Sequence, residues 1–307
     1  MRQLLQQSLK IAAVLVPMLA AVVASEALAS ARLNGQGLLW RIEGFGYEPS
    51  HVFGTMHVSD ERVLRLPQPV LDAFDRSRVC LFELIVPDDA FVGLAERMLL
   101  PDGLTLDRVL DAETYAKVVA EARRYGFTTR QISRTRPSGL MFVFSQPVNE
   151  WRRRLDGWTF LDHALQNEAR AMNKPVYPLE TIVEQLAILD VRERYRNPAL
   201  LQGLIEQSRM MEQGYESMIQ HYLRADMDAI FSQQEAQASS LSYDAQQELA
   251  AFNEQLLDRR NRVMVERVLP YLAAGRAFVA IGAAHLAGTE GVLNFLTSKG
   301  YRVTRVY

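Results

Sequence analysis

The stretch GRAFVAIGAAHLAGTEGVLNFLTSKGYRV, Gly275 to Val303, decides the fold. Ala277 to Ile281 is a short apolar run with Phe, Val and Ile between glycines, the pattern of a strand buried on both faces. Beyond Gly282 the chain places His285 in a turn. A helical pattern then runs from Glu290 to a stop at Lys299 and Gly300, with Thr289 as the expected cap. Tyr301 to Val306 alternates as a further strand. In an open sheet built from strand, turn and helix, ligands sit in the crevice past the carboxyl ends of the strands. His285 therefore stands where chemistry is expected. A second unit of the same form lies earlier, where Val52 and Phe53 lead through Gly54, Thr55 and Met56 to His57. The spacing Gly-x-x-His thus occurs twice.

The 307 residues, 49% hydrophobic and 23% charged, are ordinary for a globular chain with a substantial core. A formal charge of -2 gives no electrostatic reason to expect nucleic acid as a partner. Residues 1–29 differ in kind. Arg2 and Lys10 precede an apolar stretch from Ile11 to Val23, and Ala27-Leu28-Ala29 ends on small residues. The pattern predicts a signal peptide cleaved after Ala29, a domain over 30–307 and a periplasmic or secreted location. The apolar stretch is shorter than the ~20 residues that cross a bilayer, so no stable membrane span is expected after cleavage. The single cysteine, Cys80, allows no intramolecular disulfide and reads as a small buried residue.

Leu39 to Val58 predicts a hairpin, and Val63 to Phe74 a helix interrupted by Pro67 and Pro69. The strand-like run from Val79 to Val86 carries Glu83 between Phe82 and Leu84. A carboxylate in such a run costs several kcal/mol unless donors, a charge or a metal satisfy it. A salt bridge to an arginine would serve as well as an ion. Phe127 to Pro137 reads as a loop with Arg130, Arg134 and Arg136, either solvated or holding an anion. Trp158 to Ala171 predicts an amphipathic helix containing Asp162 and His163. A proline-bounded extended piece then delivers Glu180 to the start of another helix. Residues 184–272 are helical almost throughout, and Met210, Met211, Met218 and Met227 read there as core filler. The pattern is that of a large helical insertion, about 184–272, between sheet-forming ends.

His57, His285, Glu83 and Glu180 could converge from the ends of different strands. Two neutral imidazoles and one or two carboxylates suit a first-row divalent ion, and an open position on such an ion activates water. Sharing one ion requires the imidazoles to lie within about 8 Å of each other.

The chain resembles the TraB/GumN family, which is related to the Tiki proteases. The resemblance lies in Val52 to Val58, Phe82-Glu83-Leu84, Leu161-Asp162, Lys174-Pro175-Val176 running into Leu179-Glu180-Thr181, Arg260-Asn261, and Gly282 to Leu286 through Gly300 to Val303. These blocks occur in order across nearly the whole chain beyond residue 30. The resemblance implies a single α/β domain with a mixed sheet flanked by helices, and a metal-dependent hydrolase site. It implies His57 and His285 as metal ligands, Glu83 as ligand or general base, Arg260 as a catalytic and substrate-binding group, and Glu180 as a supporting or substrate-binding one. The implied cofactor is a divalent ion, Mn, Co or Zn, and the implied substrate a peptide or small molecule. The alternative is a non-catalytic protein that sequesters a peptide or assists polysaccharide export through the same cleft.

Overall fold

The computed structural model describes residues 34–44, 46–85, 98–189 and 198–307. The expected signal peptide and its cleavage point lie outside the described residues, as does Val86 at the end of the expected strand. The six strands are β1 (Leu39–Glu43), β2 (Ser50–Thr55), β3 (Val79–Leu84), β4 (Val176–Glu180), β5 (Ala277–Gly282) and β6 (Arg302–Arg305). They form one mixed sheet in the order β4-β3-β5-β2-β1-β6. The expected hairpin is present as antiparallel β1 and β2, and β6 pairs antiparallel with β1. The neighbours β4, β3, β5 and β2 are all parallel, so their carboxyl ends share one edge.

Apolar residues alternate to opposite faces of this sheet because the side-chain period of a strand is two. Phe53, Phe82, Phe278 and Ala280 pack on one face against Phe74, Leu161, Leu165, Met218, Ile219 and Tyr222. Trp40, Val52, Leu81, Val279 and Ile281 pack on the other against Val265, Val268, Leu272, Leu293 and Leu296. Every residue of β5 is buried, as its uninterrupted apolar run requires. A separate core of helices gathers around Trp151, Tyr125, Phe144 and Leu249.

Five helices matter to the site: α1 (Val148–Leu155), α2 (Leu161–Ala171), α3 (Tyr215–Leu223), α4 (Met227–Ala238) and α5 (Asp258–Ala274). The last three belong to the helical insertion that the sequence predicts. Elsewhere the expected helix at 63–74 divides into Glu61–Leu64 and Gln68–Arg76. Pro69 lies in the first turn of the second piece, where its missing N–H leaves nothing unpaired. The expected loop at 127–137 contains a helix, Thr129–Arg134, started by a capping box between Thr128 and Gln131. Arg134 and Arg136 hold the segment at 99–104. Arg134 donates to the carbonyls of Leu100, Pro101 and Leu104, and Arg136 to that of Leu99. The final helix, Val292–Ser298, begins after Gly291 and not at the expected Thr289 cap.

Candidate functional site

The two Gly-x-x-His turns leave adjacent strands side by side, with Gly54 opposite Ile281 and Thr55 opposite Gly282. They touch so closely that a Cβ on Gly54 would lie 2.9 Å from the Ala283 Cβ and 2.7 Å from Leu286 Cδ1. Only glycine allows that approach. β3 flanks β5 on its other side and brings Glu83 to the same edge, and β4 beyond it brings Glu180. Helix α5 crosses these ends with Arg260 and Asn261 on its buried side. His57, Glu83, Glu180, Arg260 and His285 are all buried and all in one cluster.

Glu83 is the centre of that cluster. Its Oε2 accepts the Gly282 N–H at 3.0 Å and lies 3.7 Å from His57 Nε2 and 3.8 Å from His285 Nε2. Facing one oxygen at these distances, the two imidazole nitrogens fall within the limit for sharing an ion. Its Oε1 accepts from the Arg260 guanidinium, which also donates to both oxygens of Glu180. The arginine expected to meet substrate thus spends its fork on two carboxylates, on the Oε1 side of Glu83. The salt bridge weighed for Glu83 exists, and it occupies one oxygen only.

The other nitrogen of each imidazole is tied away from the centre. His57 Nδ1 donates to Asp162 Oδ2 at 2.7 Å, while the Thr55 hydroxyl donates to Oδ1 of the same carboxylate at 2.6 Å. His285 Nδ1 lies 2.6 Å from Asn261 Oδ1. Asn261 Nδ2 donates to the Glu290 carbonyl, which fixes the amide so that its oxygen faces the ring. His285 therefore carries its proton on Nδ1 and turns the Nε2 lone pair inward. Sequence reasoning does not find Asp162 and Asn261 as site residues. In the sequence Asp162 is one polar position on an amphipathic helix, and Asn261 is the neighbour of Arg260. No local spacing marks either one. Arg154, buried on α1, donates to the His57 carbonyl and stacks 4.7 Å over the Phe160 ring.

Burial alone would pull the His57 pKa down, but the charge and hydrogen bond of Asp162, with Glu83 behind them, raise it to about 9. Burial pushes His285 down to about 3, for the attraction of Glu83 is opposed by Arg260 and His57. Burial opposes ionisation of Glu83. Arg260 first, then His285 and His57, nevertheless hold it well below the usual carboxylate range.

These residues suit a divalent ion in kind and in direction. Two Nε2 atoms and one carboxylate oxygen are a donor set for Zn, Mn or Co. A Cβ on Gly282 would come within 3.2 Å of both Glu83 Oε2 and His57 Nε2, so the cradle is kept open by a glycine. Among the described residues no three His, Cys, Asp or Glu side chains already stand at ligating distance. The separations of 3.7 and 3.8 Å exceed the edge of about 3.4 Å in a tetrahedron of ~2.1 Å bonds by a few tenths of an ångström.

The TraB/PrgY/gumN family matches residues 38–305. Among curated proteins the chain is similar to Metalloprotease TIKI1 of Danio rerio, 28% identical over 298 residues that cover 83% of this chain and 60% of the relative. Metalloprotease TIKI2 of Xenopus tropicalis is 27% identical over 313 residues, 86% of this chain and 59% of the relative. Metalloprotease TIKI1 of Homo sapiens is 25% identical over 299 residues, 83% and 59% respectively. The chain spans about three fifths of the length of these relatives. No solved structure matches it. Among the described residues no helix is long and apolar enough to cross a membrane.

Proposed function

This chain belongs to the TraB/PrgY/gumN family, and from that premise we propose that it is an exported, metal-dependent hydrolase of peptide or amide bonds. The observation that carries the reading is the convergence of His57 Nε2 and His285 Nε2 on Glu83 Oε2, with each Nδ1 tied to an acceptor of its own. His57, His285 and Glu83 would hold the ion. When bound, a divalent ion lowers the pKa of water towards ~7 and polarises a carbonyl.

The chain's own residues prepare that chemistry. Asp162 and Asn261 fix the ring planes and tautomers, as an acceptor behind a ligating imidazole does. Arg260, itself held by Glu180, keeps Glu83 ionised and turns its Oε2 to the histidines. A carboxylate so firmly ionised is a poor proton acceptor near neutral pH. In this reading Glu83 therefore acts as a ligand, and Arg260 and Glu180 act through it. The relatives named as metalloproteases support a peptide as substrate. Export rests on the positive, apolar and small-residue order of residues 1–29, and amino-terminal sequencing of the exported protein is expected to begin at Ser30.

The test is to load purified protein with Mn, Co or Zn, measure bound metal, and follow a peptide library by mass spectrometry beside Glu83→Gln. Cleavage is expected with at least one metal, with loss of ~100-fold or more in Glu83→Gln. Stoichiometric metal without cleavage of any peptide would overturn the hydrolase reading in favour of sequestration.

A further inference from the structure

Beside the two histidines lies an open cavity. One side is made by the Gly-x-x-His turns, through Thr55, Met56, His57 and Gly282 to His285. The opposite wall belongs to the helical insertion: Met218 and Tyr222 from α3, then Met227, Ile230, Phe231 and Gln234 from α4. Apart from the histidines, none of the side chains described as lining it is acidic or basic. The Tyr222 hydroxyl donates to the Gly54 carbonyl at 2.8 Å, which leaves its ring as its part of the wall.

We propose that this cavity is a substrate subsite for a large apolar side chain, so that the peptides taken carry Leu, Met or Phe beside the bond presented to the histidines, while Gln234 binds the same peptide's backbone. The proposal rests on the hydrolase reading and names its substrate class. Three observations carry it. The cavity and the histidine pair share a wall, so whatever fills the one lies next to the other. Apart from Gln234 the far wall is apolar, and a charged side chain entering it would lose its water without gaining an opposite charge there. Two of its residues are methionines, whose unbranched thioethers adapt to differently shaped neighbours; the preference is accordingly one of size and polarity, common to Leu, Met and Phe.

The third observation concerns Gln234. Its side chain lines the cavity, and its Oε1 is buried without a hydrogen-bond partner. A buried acceptor left unpaired is costly, and a ligand N–H relieves it. A turned amide would present a donor at the same place. A peptide group supplies the complement of either.

The experiment measures binding to the purified full chain in chelator, by calorimetry, using acetyl-Gly-Gly-Xaa-Gly-Gly-amide with Xaa as Leu, Met, Phe, Ala or Asp. The Leu, Met and Phe peptides are expected to bind roughly ten-fold or more tighter than Ala, and Asp weaker than Ala. Ile230→Trp, which fills the cavity, is expected to bring the Leu peptide to the Ala level. Gln234→Leu, at a partly exposed position, lowers the affinity of every peptide about five-fold and keeps their order. Equal binding of the Leu and Asp peptides, no binding of any peptide, or an unchanged order in folded Ile230→Trp would overturn the subsite. Cleavage without apolar preference would overturn it and leave hydrolysis standing. Apolar-ranked binding without cleavage under any metal supports the subsite while removing the hydrolase.

Discussion

The first Gly-x-x-His turn, residues 54–57, and the second, 282–285, leave neighbouring parallel strands at the same level, and both aim an imidazole at one carboxylate oxygen. Their histidines titrate in opposite directions. Behind His57 stands the anionic Asp162, and the imidazolium persists up to about 9. Behind His285 stands the neutral Asn261, with Arg260 nearby, and the ring stays uncharged down to about 3. The motif fixes where an imidazole goes; at His57 the anion behind the ring overcomes burial, and at His285 burial prevails. In metal-free protein the first turn is a cation beside Glu83 and the second a lone-pair donor.

The strongest way to break the comparison is to remove what both turns share. Glu83→Ala takes away the acceptor of the Gly282 N–H and leaves part of the Arg260 guanidinium unpaired among buried groups. A loss of about 3–5 kcal/mol is expected, read by chemical denaturation in chelator. A loss below ~1 kcal/mol would show that the turns hold each other without Glu83.

Next in size is the pH dependence of stability in metal-free protein, where each turn governs one side. The His57 pKa is raised above its unfolded value near 6.5, so its contribution is full below that value and is lost as pH rises towards about 9. The His285 pKa is lowered, so stability falls as pH drops below 6.5 towards about 3. Glu83, held low, adds to the acid loss once pH passes below the ordinary carboxylate range. At ~1.4 kcal/mol for each ten-fold change in proton affinity the full shifts set ceilings of about 3.5 and about 5 kcal/mol, and with relaxation of the buried groups each limb should amount to about 1–3 kcal/mol. Asp162→Asn should flatten the alkaline limb and leave the acid one, as thermal melts across pH would record. An alkaline limb unchanged in Asp162→Asn would assign it elsewhere.

The smallest effect sharpens the comparison by making the second turn resemble the first. Asn261→Asp places an anion behind His285 and removes the bond to the Glu290 carbonyl. The proton affinity of His285 should rise about ten-fold or more, followed by nitrogen chemical shifts of the ring in an NMR titration. No rise would mean that Arg260, and not the residue behind the ring, sets its charge.

The parts of this arrangement that are legible in the sequence are those carried by local pattern. An apolar run ending in glycine marks β5, and the same form marks β2, so both histidines can be placed at strand ends. Glu83 stands out because a carboxylate in an apolar run demands a partner. For Arg260 the family resemblance implies a group reaching substrate, and nothing in the sequence says which carboxylates packing brings to it first. Asp162 and Asn261 occupy ordinary helical positions, and their part appears only when α2 and α5 dock on the sheet. The helix at Thr129–Arg134 is a different omission, since Thr128 and Gln131 stand at the spacing of a capping box.

The position of β5 has a further consequence, for the order in which the molecule comes together. It fills the gap between β3 and β2, and its first residue, Ala277, donates to the Ser50 hydroxyl across 227 residues of chain. Until it arrives the sheet is two separate pieces, the β1–β2 hairpin and the β3–β4 pair. Joining them closes loops of great length, the slow class of event in folding. A chain still on the ribosome holds His57 and Glu83 on pieces with nothing between them. The centre comes into being only after residue 285 has been made, so the growing chain has no assembled site to act on its surroundings.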